Sequence, residues 1–178
     1  MLSHLRIDTP PWTDARLHHL DEALVKRGSR ALAMRMDDLS LEEDGDHFTC
    51  EGQTVFHRRL ASLLNRTDDT PLLVLSDSTI DFHNWVDAYT GWADADLTHA
   101  LAPRPVTIDA VCGSGFVAGA TNNEHFHARL STHLRNGFRG DLLLIGGWND
   151  ERMLTRPLQD TVNAIDRVVS LYRRYASL

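Results

Sequence analysis

Four short stretches of this sequence carry side chains that could do chemistry together. Asp44 and His47 are three residues apart, a spacing at which a carboxylate can orient an imidazole and stabilise its protonated form. Ser78 follows an apolar run and offers a hydroxyl whose proton such a histidine could take near pH 7. Asn149 supplies an amide, and Gly113 lets a backbone N–H approach a ligand closely. A nucleophile, a base with its orienting acid, and neutral donors are the parts needed for acyl transfer through an oxyanion.

Three of these groups follow apolar segments that predict β-strands. The segments are residues 71–84 (PLLVLSDSTIDFHN), 106–115 (VTIDAVCGSG) and 141–150 (DLLLIGGWND). Each runs from apolar residues into small or polar ones. Ligands of open α/β sheets bind outside the carboxyl ends of the strands, so the three strand ends are expected to build one site.

The rest of the chain supplies the elements that must position this site. Residues 5–9 and 31–36 predict two further strands, and apolar residues at helical spacing fill the intervals between strands. The helix after the glycine-rich strand end is expected to be capped at one of three residues: Thr121, Asn122 or Asn123. Five strands alternating with helices predict one α/β domain over residues 1–178, a three-layer α/β/α sandwich on a five-stranded parallel sheet.

Bulk composition narrows the function classes. The 178 residues carry a formal charge of −7, which argues against a general nucleic-acid binder because phosphate contacts need a basic face. The chain shows no apolar leader and no stretch approaching ~18 apolar residues, so a cytoplasmic protein without a membrane partner is expected. Two cysteines are too few for a disulfide framework, and Cys112 is expected to be buried and inert.

The four stretches together resemble the SGNH (GDSL-type) hydrolase superfamily. Ser76-Asp77-Ser78 resembles the family's Gly-Asp-Ser block, with serine in place of its glycine. Gly113 matches the second block, and Gly147-Trp148-Asn149-Asp150 matches the Gly-x-Asn-Asp block. Residues 44–47 match Asp-x-x-His, and the sequence onward through Gly52 continues the resemblance.

The order of these blocks differs from that of the family, in which Asp-x-x-His comes last. A circular permutation accounts for this difference, with residues 1–70 corresponding to the family's C-terminal part and residues 71–178 to its N-terminal part. The family's flavodoxin-like strand order then implies the order 4-3-5-1-2 across the sheet, numbered along this chain. Triad geometry does not depend on chain order, so the permutation leaves the implied chemistry intact.

The resemblance implies a serine esterase or deacylase. A chain of 178 residues has little room for a lid or lipid tunnel, so a short acyl group is expected, for example on an acetylated sugar. Ser78 is then the nucleophile, His47 the general base and Asp44 its orienting acid. The Ser78 and Gly113 N–H groups and the Asn149 amide form the oxyanion hole, with Gly115 as the other candidate for the glycine donor. Trp148 and Gly115 are expected to contact the substrate. No metal or organic cofactor is implied, and the oligomeric state is not indicated.

Three alternatives remain open on the same residues. The same site could transfer acyl groups to another acceptor, or the fold could be a binding module without catalysis. Gly113, Gly115 and Gly119 follow a strand as in nucleotide- or S-adenosylmethionine-binding proteins. That reading requires an acidic residue at the end of the next strand, where this chain has glycine, so it is disfavoured.

Two other motifs point less well to chemistry. Ser114 lacks the flanking glycines of a G-x-S-x-G nucleophile elbow, and Cys112 is a possible but less favoured nucleophile. His125 and His127, beside Glu124, could suggest a metal site. Residues two apart do not share a helix face, so ordinary residues of a helix N-terminus are expected there instead.

Overall fold

The computed structural model describes residues 1–7, 15–35, 39, 49–64, 69–81, 92–119, 122, 124–152 and 157–176. Asp44 and His47 lie outside these residues. Within the described part, helices separate the strands in the following order: β1 (Leu2–Ile7), α1 (Ala15–Lys26), β2 (Arg30–Met34), α2 (Cys50–Leu63), β3 (Leu72–Ser76), α3 (Ser78–Asp81), α4 (Trp92–Leu101), β4 (Val106–Ala110), α5 (Phe126–Arg135), β5 (Asp141–Ile145), α6 (Trp148–Arg152) and α7 (Leu158–Ala176). None of the described helices combines the length and apolar character needed to span a membrane.

The strands of the described residues form one parallel sheet in the order β2-β1-β5-β3-β4. Counted from the opposite edge this order is 4-3-5-1-2, so the predicted fold class and strand order are confirmed. β1 pairs with β2 on one side and with β5 on the other. The first strand of the chain is therefore an interior strand, as the permuted order requires.

Strand β3 lies inside the sheet, and all five of its residues are buried. Successive strand side chains point to opposite faces, so Leu73 and Leu75 enter the core formed with α1, α5 and α7. Leu72 and Val74 enter the second core, formed with α2 and α4. Each such side chain contributes about 1.5–3 kcal/mol of burial free energy. Two cores thus hold the carboxyl end of β3 from both faces.

The last helix of the chain packs beside the start of the first strand. The Tyr172 hydroxyl on α7 lies 3.0 Å from the Met1 carbonyl oxygen and 2.9 Å from that of Gly140. Burial, followed by the nearby Asp141 carboxylate, raises the pKa of Tyr172 to about 12, so the hydroxyl keeps its proton at neutral pH. Helix α7, the last described helix, therefore contacts the residue that precedes β1.

Several element boundaries differ from the predictions. Strand β2 spans Arg30–Met34, whereas residues 31–36 were expected. Strand β1 begins at Leu2, three residues before the predicted start. Helix α5 begins at Phe126 with His125 as its N-cap, so the predicted cap at residues 121–123 is wrong. A tertiary contact sets this boundary: the Phe126 N–H donates to the Gly115 carbonyl oxygen at 2.8 Å. The folded glycine-rich loop thus supplies a hydrogen-bond acceptor for the first N–H group of α5.

His4 joins β1 to α1 through a buried polar network. Its Nδ1 lies 2.9 Å from Ser29 Oγ, and its Nε2 lies 2.7 Å from Asp21 Oδ1. His4 is 3% exposed, and both of its ring nitrogens have partners. The network satisfies polar groups that would otherwise be costly to bury under α1.

The same network should make the stability of the protein depend on pH. Burial lowers the pKa of His4 from its ordinary value of 6.5 more than the Asp21 hydrogen bond and charge raise it. Below about pH 6.5 the unfolded chain then binds a proton that the folded protein resists, so the free energy of unfolding should fall as pH falls. Urea denaturation between pH 8 and pH 5 measures the effect.

A matched pair of variants isolates the contribution of His4. His4→Gln should flatten the pH dependence, whereas His99→Gln, which changes an exposed histidine of α4, should keep the wild-type dependence. Equal slopes in wild type and His4→Gln would show that His4 does not control stability in this range.

Candidate active site

The carboxyl end of β3 places Ser78 as the first residue of α3. The preceding residue, Asp77, is buried, and its Oδ1 accepts hydrogen bonds from Thr79 N at 2.9 Å and from Thr79 Oγ1 at 2.6 Å. A serine at a strand end is often the cap of the next helix, but here Asp77 caps the turn. Ser78 is half-buried at the rim of the sheet, where ligands of such sheets bind.

The carboxyl end of β5 turns sharply through two glycines. Gly146 and Gly147 have φ angles of 151° and 116°, in the region that favours glycine. A Cβ atom at Gly146 would lie 2.7 Å from Phe126 Cζ and 3.1 Å from Asp77 Oδ2. The close backbone approach and the immediate start of α6 bring Asn149 toward the end of β3.

Asn149 connects the three strand ends that the sequence predicts to meet. Its Nδ2 donates to the Ser114 carbonyl oxygen at 2.9 Å and, over a longer 3.3 Å, to Asp77 Oδ2. Asp77 precedes Ser78, and Ser114 follows Gly113. The structure therefore brings together the Ser, Gly and Asn blocks, whereas the Asp-x-x-His block lies outside the described residues.

Gly113 and Gly115 occupy different environments within the glycine-rich loop. Gly113 has a φ angle of 73°, and a Cβ atom there would meet nothing within 4 Å. The Gly115 N–H donates to the Ala118 carbonyl oxygen at 3.2 Å, and a Cβ atom at Gly115 would lie 2.5 Å from Asp150 Oδ2. Gly113 thus borders open space, while Gly115 packs against protein.

Asp150 fixes the backbone of the glycine-rich loop through hydrogen bonds, a role that the sequence motif alone did not reveal. Its carboxylate accepts backbone N–H bonds from Phe116 and Val117 at 2.7 Å and from Ala118 at 2.8 Å. Burial raises the pKa of Asp150, and these three hydrogen bonds together with the nearby His125 oppose that rise. Nucleotide-binding loops offer such N–H groups to a phosphate. A protein carboxylate already uses them here, which weighs against the nucleotide alternative.

Arg129 is a second supporting residue that sequence reasoning missed. Its Nη1 donates to the Ser76 carbonyl oxygen at 3.1 Å and to Ser114 Oγ at 2.8 Å, and its Nε donates to Asp109 Oδ1 at 3.0 Å. One guanidinium group therefore ties the end of β3, the glycine loop and β4 to α5. The available signal was its spacing: Arg129 lies three residues after Phe126 and next to Leu130, on the apolar face of the helix.

Comparisons of this chain with protein-family models, with curated proteins and with solved structures found no match.

The burial of three further side chains near the site, those of Trp148, Cys112 and Ser76, can be compared with the predictions. Trp148 is half-buried and packs against the core under α2 and α4. Cys112 is exposed, so the expectation that it is buried was wrong. The reason is local: it lies in the turn after β4 that leads to Gly113. Ser76 has a buried Oγ with no hydrogen-bond partner among the described residues.

A Ser-His-Asp array other than the predicted one is present in the described residues. Ser29, His4 and Asp21 have the spacing of a triad, at 2.9 and 2.7 Å. All three are at least nine-tenths buried, so a substrate has no access to the Ser29 hydroxyl. Burial also lowers the pKa of His4, which weakens it as a base. This array is therefore a structural network.

Among the described residues, no group of three or more His, Cys, Asp or Glu side chains is arranged to hold a metal ion. The ends of β3, β4 and β5 are followed by the Ser78 hydroxyl, the Gly113 N–H and the Asn149 amide. Neutral donors aimed at one point can stabilise a developing oxyanion. The arrangement therefore suits acyl chemistry at Ser78.

Proposed function

We propose that this chain is a serine esterase or deacylase with Ser78 as its nucleophile. The observation that carries the proposal is the Asn149 amide, which hydrogen-bonds both to Asp77, beside the serine, and to the glycine-rich loop. Three sequence-distant segments thereby meet at the carboxyl edge of the sheet. The resemblance of the same segments to SGNH hydrolases supports the proposal independently of this geometry.

The proposed reaction proceeds through an acyl-enzyme. Ser78 Oγ attacks the ester carbonyl while His47 takes its proton, and His47 then gives that proton to the leaving alcohol. Water attacks the acyl-enzyme with His47 again as base, which releases the acid and restores Ser78. Asp44 orients His47 and stabilises its protonated form throughout.

The oxyanion receives hydrogen bonds from the Ser78 and Gly113 N–H groups and from the Asn149 amide. Gly113 is the proposed glycine donor because Gly115 donates to Ala118 instead. The Asn149 amide exchanges its longer bond, 3.3 Å to Asp77, for the oxyanion and keeps its 2.9 Å bond to Ser114. A short acyl group, such as acetyl on a sugar, is the proposed substrate portion.

Covalent labelling tests the proposal directly. A fluorophosphonate should modify Ser78, as mapped by peptide mass spectrometry, and p-nitrophenyl acetate should be hydrolysed faster than longer-chain esters. Acetylated sugars extend the panel to natural leaving groups. Labelling of Ser29, Ser114 or Cys112 in place of Ser78, or no turnover of any ester, would contradict the assignment.

Removing the Asn149 amide should separate its catalytic role from a structural one. Asn149→Ala should lower kcat by roughly 10²–10³-fold, because one aimed oxyanion donor is lost. The loss of its two hydrogen bonds should cost about 1–2 kcal/mol of stability, which urea denaturation measures alongside activity. Asn163→Ala, an exposed position on α7, is the matched control. Unchanged kcat in the folded Asn149→Ala protein would assign Asn149 to turn formation alone.

A further inference from the structure

A cleft beside α5 collects basic side chains in a protein whose net charge is −7. Its volume is about 560 Å³, within the range of small-molecule sites. Its ionisable lining residues are two arginines, three histidines and one aspartate: Arg129, Arg135, His125, His127, His133 and Asp109.

The single carboxylate among these lining residues is already neutralised. Asp109 accepts from Arg129 Nε at 3.0 Å, and its other oxygen lies 2.7 Å from His133 Nε2. The charge of Asp109 is therefore used within the protein and offers little attraction to a cation. The lining groups left to bind a ligand are therefore mainly the imidazoles of His125 and His127 and the guanidinium of Arg135.

Two histidines that line the cleft, His125 and His127, lie close together. The rings of His125 and His127 stack with centroids 6.2 Å apart at 15°. The buried Nδ1 of His125 has no hydrogen-bond partner among the described residues. This Nδ1 is closed to the cleft, so a ligand there can meet His125 only at the other edge of its ring.

The geometry points to a binding site for a phosphate-type anion in this cleft, held by His125, His127 and Arg135. Imidazolium and guanidinium groups donate charge-assisted hydrogen bonds to tetrahedral oxyanions, and a guanidinium can donate two in parallel. The cleft is larger than inorganic phosphate, so the anion would be the phosphate group of a larger small molecule. The inference does not depend on the proposed esterase function.

Anion binding should be linked to protonation of the two imidazoles. Burial lowers the pKa of both His125 and His127; Arg167 of α7 adds to the lowering at both, and His127 also lowers that of His125. Both pKa values should therefore rise when an anion binds, and affinity should increase as pH falls from 8 to 6. The other charged groups facing this part of the cleft are Asp150 of α6, Asp109 of β4, and Arg129, His133 and Arg135 of α5.

Binding of inorganic phosphate and sulfate to the full chain tests the site. Inorganic phosphate at pH 7.5 should bind saturably in calorimetry and shift the ring proton resonances of His125 and His127 in NMR spectra. Sulfate, whose charge is constant over this range, should bind more tightly at pH 6 than at pH 8. Sodium chloride at equal ionic strength should reproduce neither effect.

Matched double variants locate the binding. His127→Gln combined with Arg135→Gln should weaken phosphate binding by roughly tenfold or more, because charge-assisted hydrogen bonds are lost. His18→Gln combined with Arg30→Gln removes the same residue types from exposed positions outside the cleft and should leave binding unchanged. Unsaturable shifts that sodium chloride reproduces, or equal weakening in both double variants, would overturn the site.

Discussion

Replacing Ser78 with alanine should lower ester turnover by roughly 10⁴–10⁶-fold, because the nucleophile and its acyl-enzyme are both lost. The free energy of unfolding should change by no more than about 0.5–1 kcal/mol, since Ser78 is half-buried and Asp77 performs the capping. Initial rates on p-nitrophenyl acetate and urea denaturation of the same preparation measure the two quantities.

Ser29→Ala is the matched control, because Ser29 belongs to the other Ser-His-Asp array. This variant loses a buried hydrogen bond to His4 and should lose about 1–2 kcal/mol of stability while keeping its turnover. The opposite pattern, with turnover lost in Ser29→Ala and kept in Ser78→Ala, would move the active site to the buried array and remove the basis of the proposed function.

The effects of the triad residues should not add. Ser78→Ala, His47→Ala and the double variant should lose similar activity, since each change alone disables the same nucleophile. Asp44→Ala should cost less, because Asp44 orients the base without exchanging the proton. Additive losses in the double variant would show that Ser78 and His47 act separately.

The second large effect is expected from Asp150→Ala, and it falls on stability. Three buried N–H groups, those of Phe116, Val117 and Ala118, lose their acceptor. Each unsatisfied buried donor costs about 1–3 kcal/mol, and water entering the emptied space recovers part of that cost. We therefore expect the free energy of unfolding to fall by roughly 3–5 kcal/mol in urea denaturation.

Two further substitutions make this stability prediction specific. Asp150→Asn keeps one carbonyl oxygen as an acceptor but turns an amide toward one of the N–H groups, so its cost should lie between wild type and Asp150→Ala. Asp160→Ala removes an exposed carboxylate in the first turn of α7 and should cost less than about 1 kcal/mol. Asp150→Ala and Asp160→Ala with equal stability would show that Asp150 does not organise the loop.

Asp150 and Arg129 both hold the glycine-rich loop in place beside the proposed active site. Asp150 fixes the backbone that follows Gly115, and Arg129 fixes Ser114 and the end of β3. Donors aimed at an oxyanion are effective when they need no rearrangement during the reaction. The two buried charged residues supply that rigidity without contacting the proposed reacting atoms.

The sequence by itself determined the sheet and the location of the candidate site. The apolar residues of β3 predict a strand buried on both faces because side chains alternate along a strand and helices cover a parallel sheet. The resemblance of the four blocks supplied the strand order, which the structure confirms with β1 inside the sheet. It also placed Ser78 and Asn149 at neighbouring strand ends. The roles of all the site residues, those of Asp44 and His47 included, remain predictions.

Only the tertiary structure decided which groups hold these residues. Asp150 meets the N–H groups of residues more than thirty positions earlier, and Arg129 reaches Ser76 across fifty-three positions. The Gly115 carbonyl sets the start of α5 against the preference of local capping residues. His4, Asp21 and Ser29 form their network only after α1 packs on the sheet. Local sequence patterns show the periodicity and capping of single elements. The hydrogen-bond partners of Asp150, Arg129 and His4 depend instead on which buried polar groups come within hydrogen-bond distance when the chain packs.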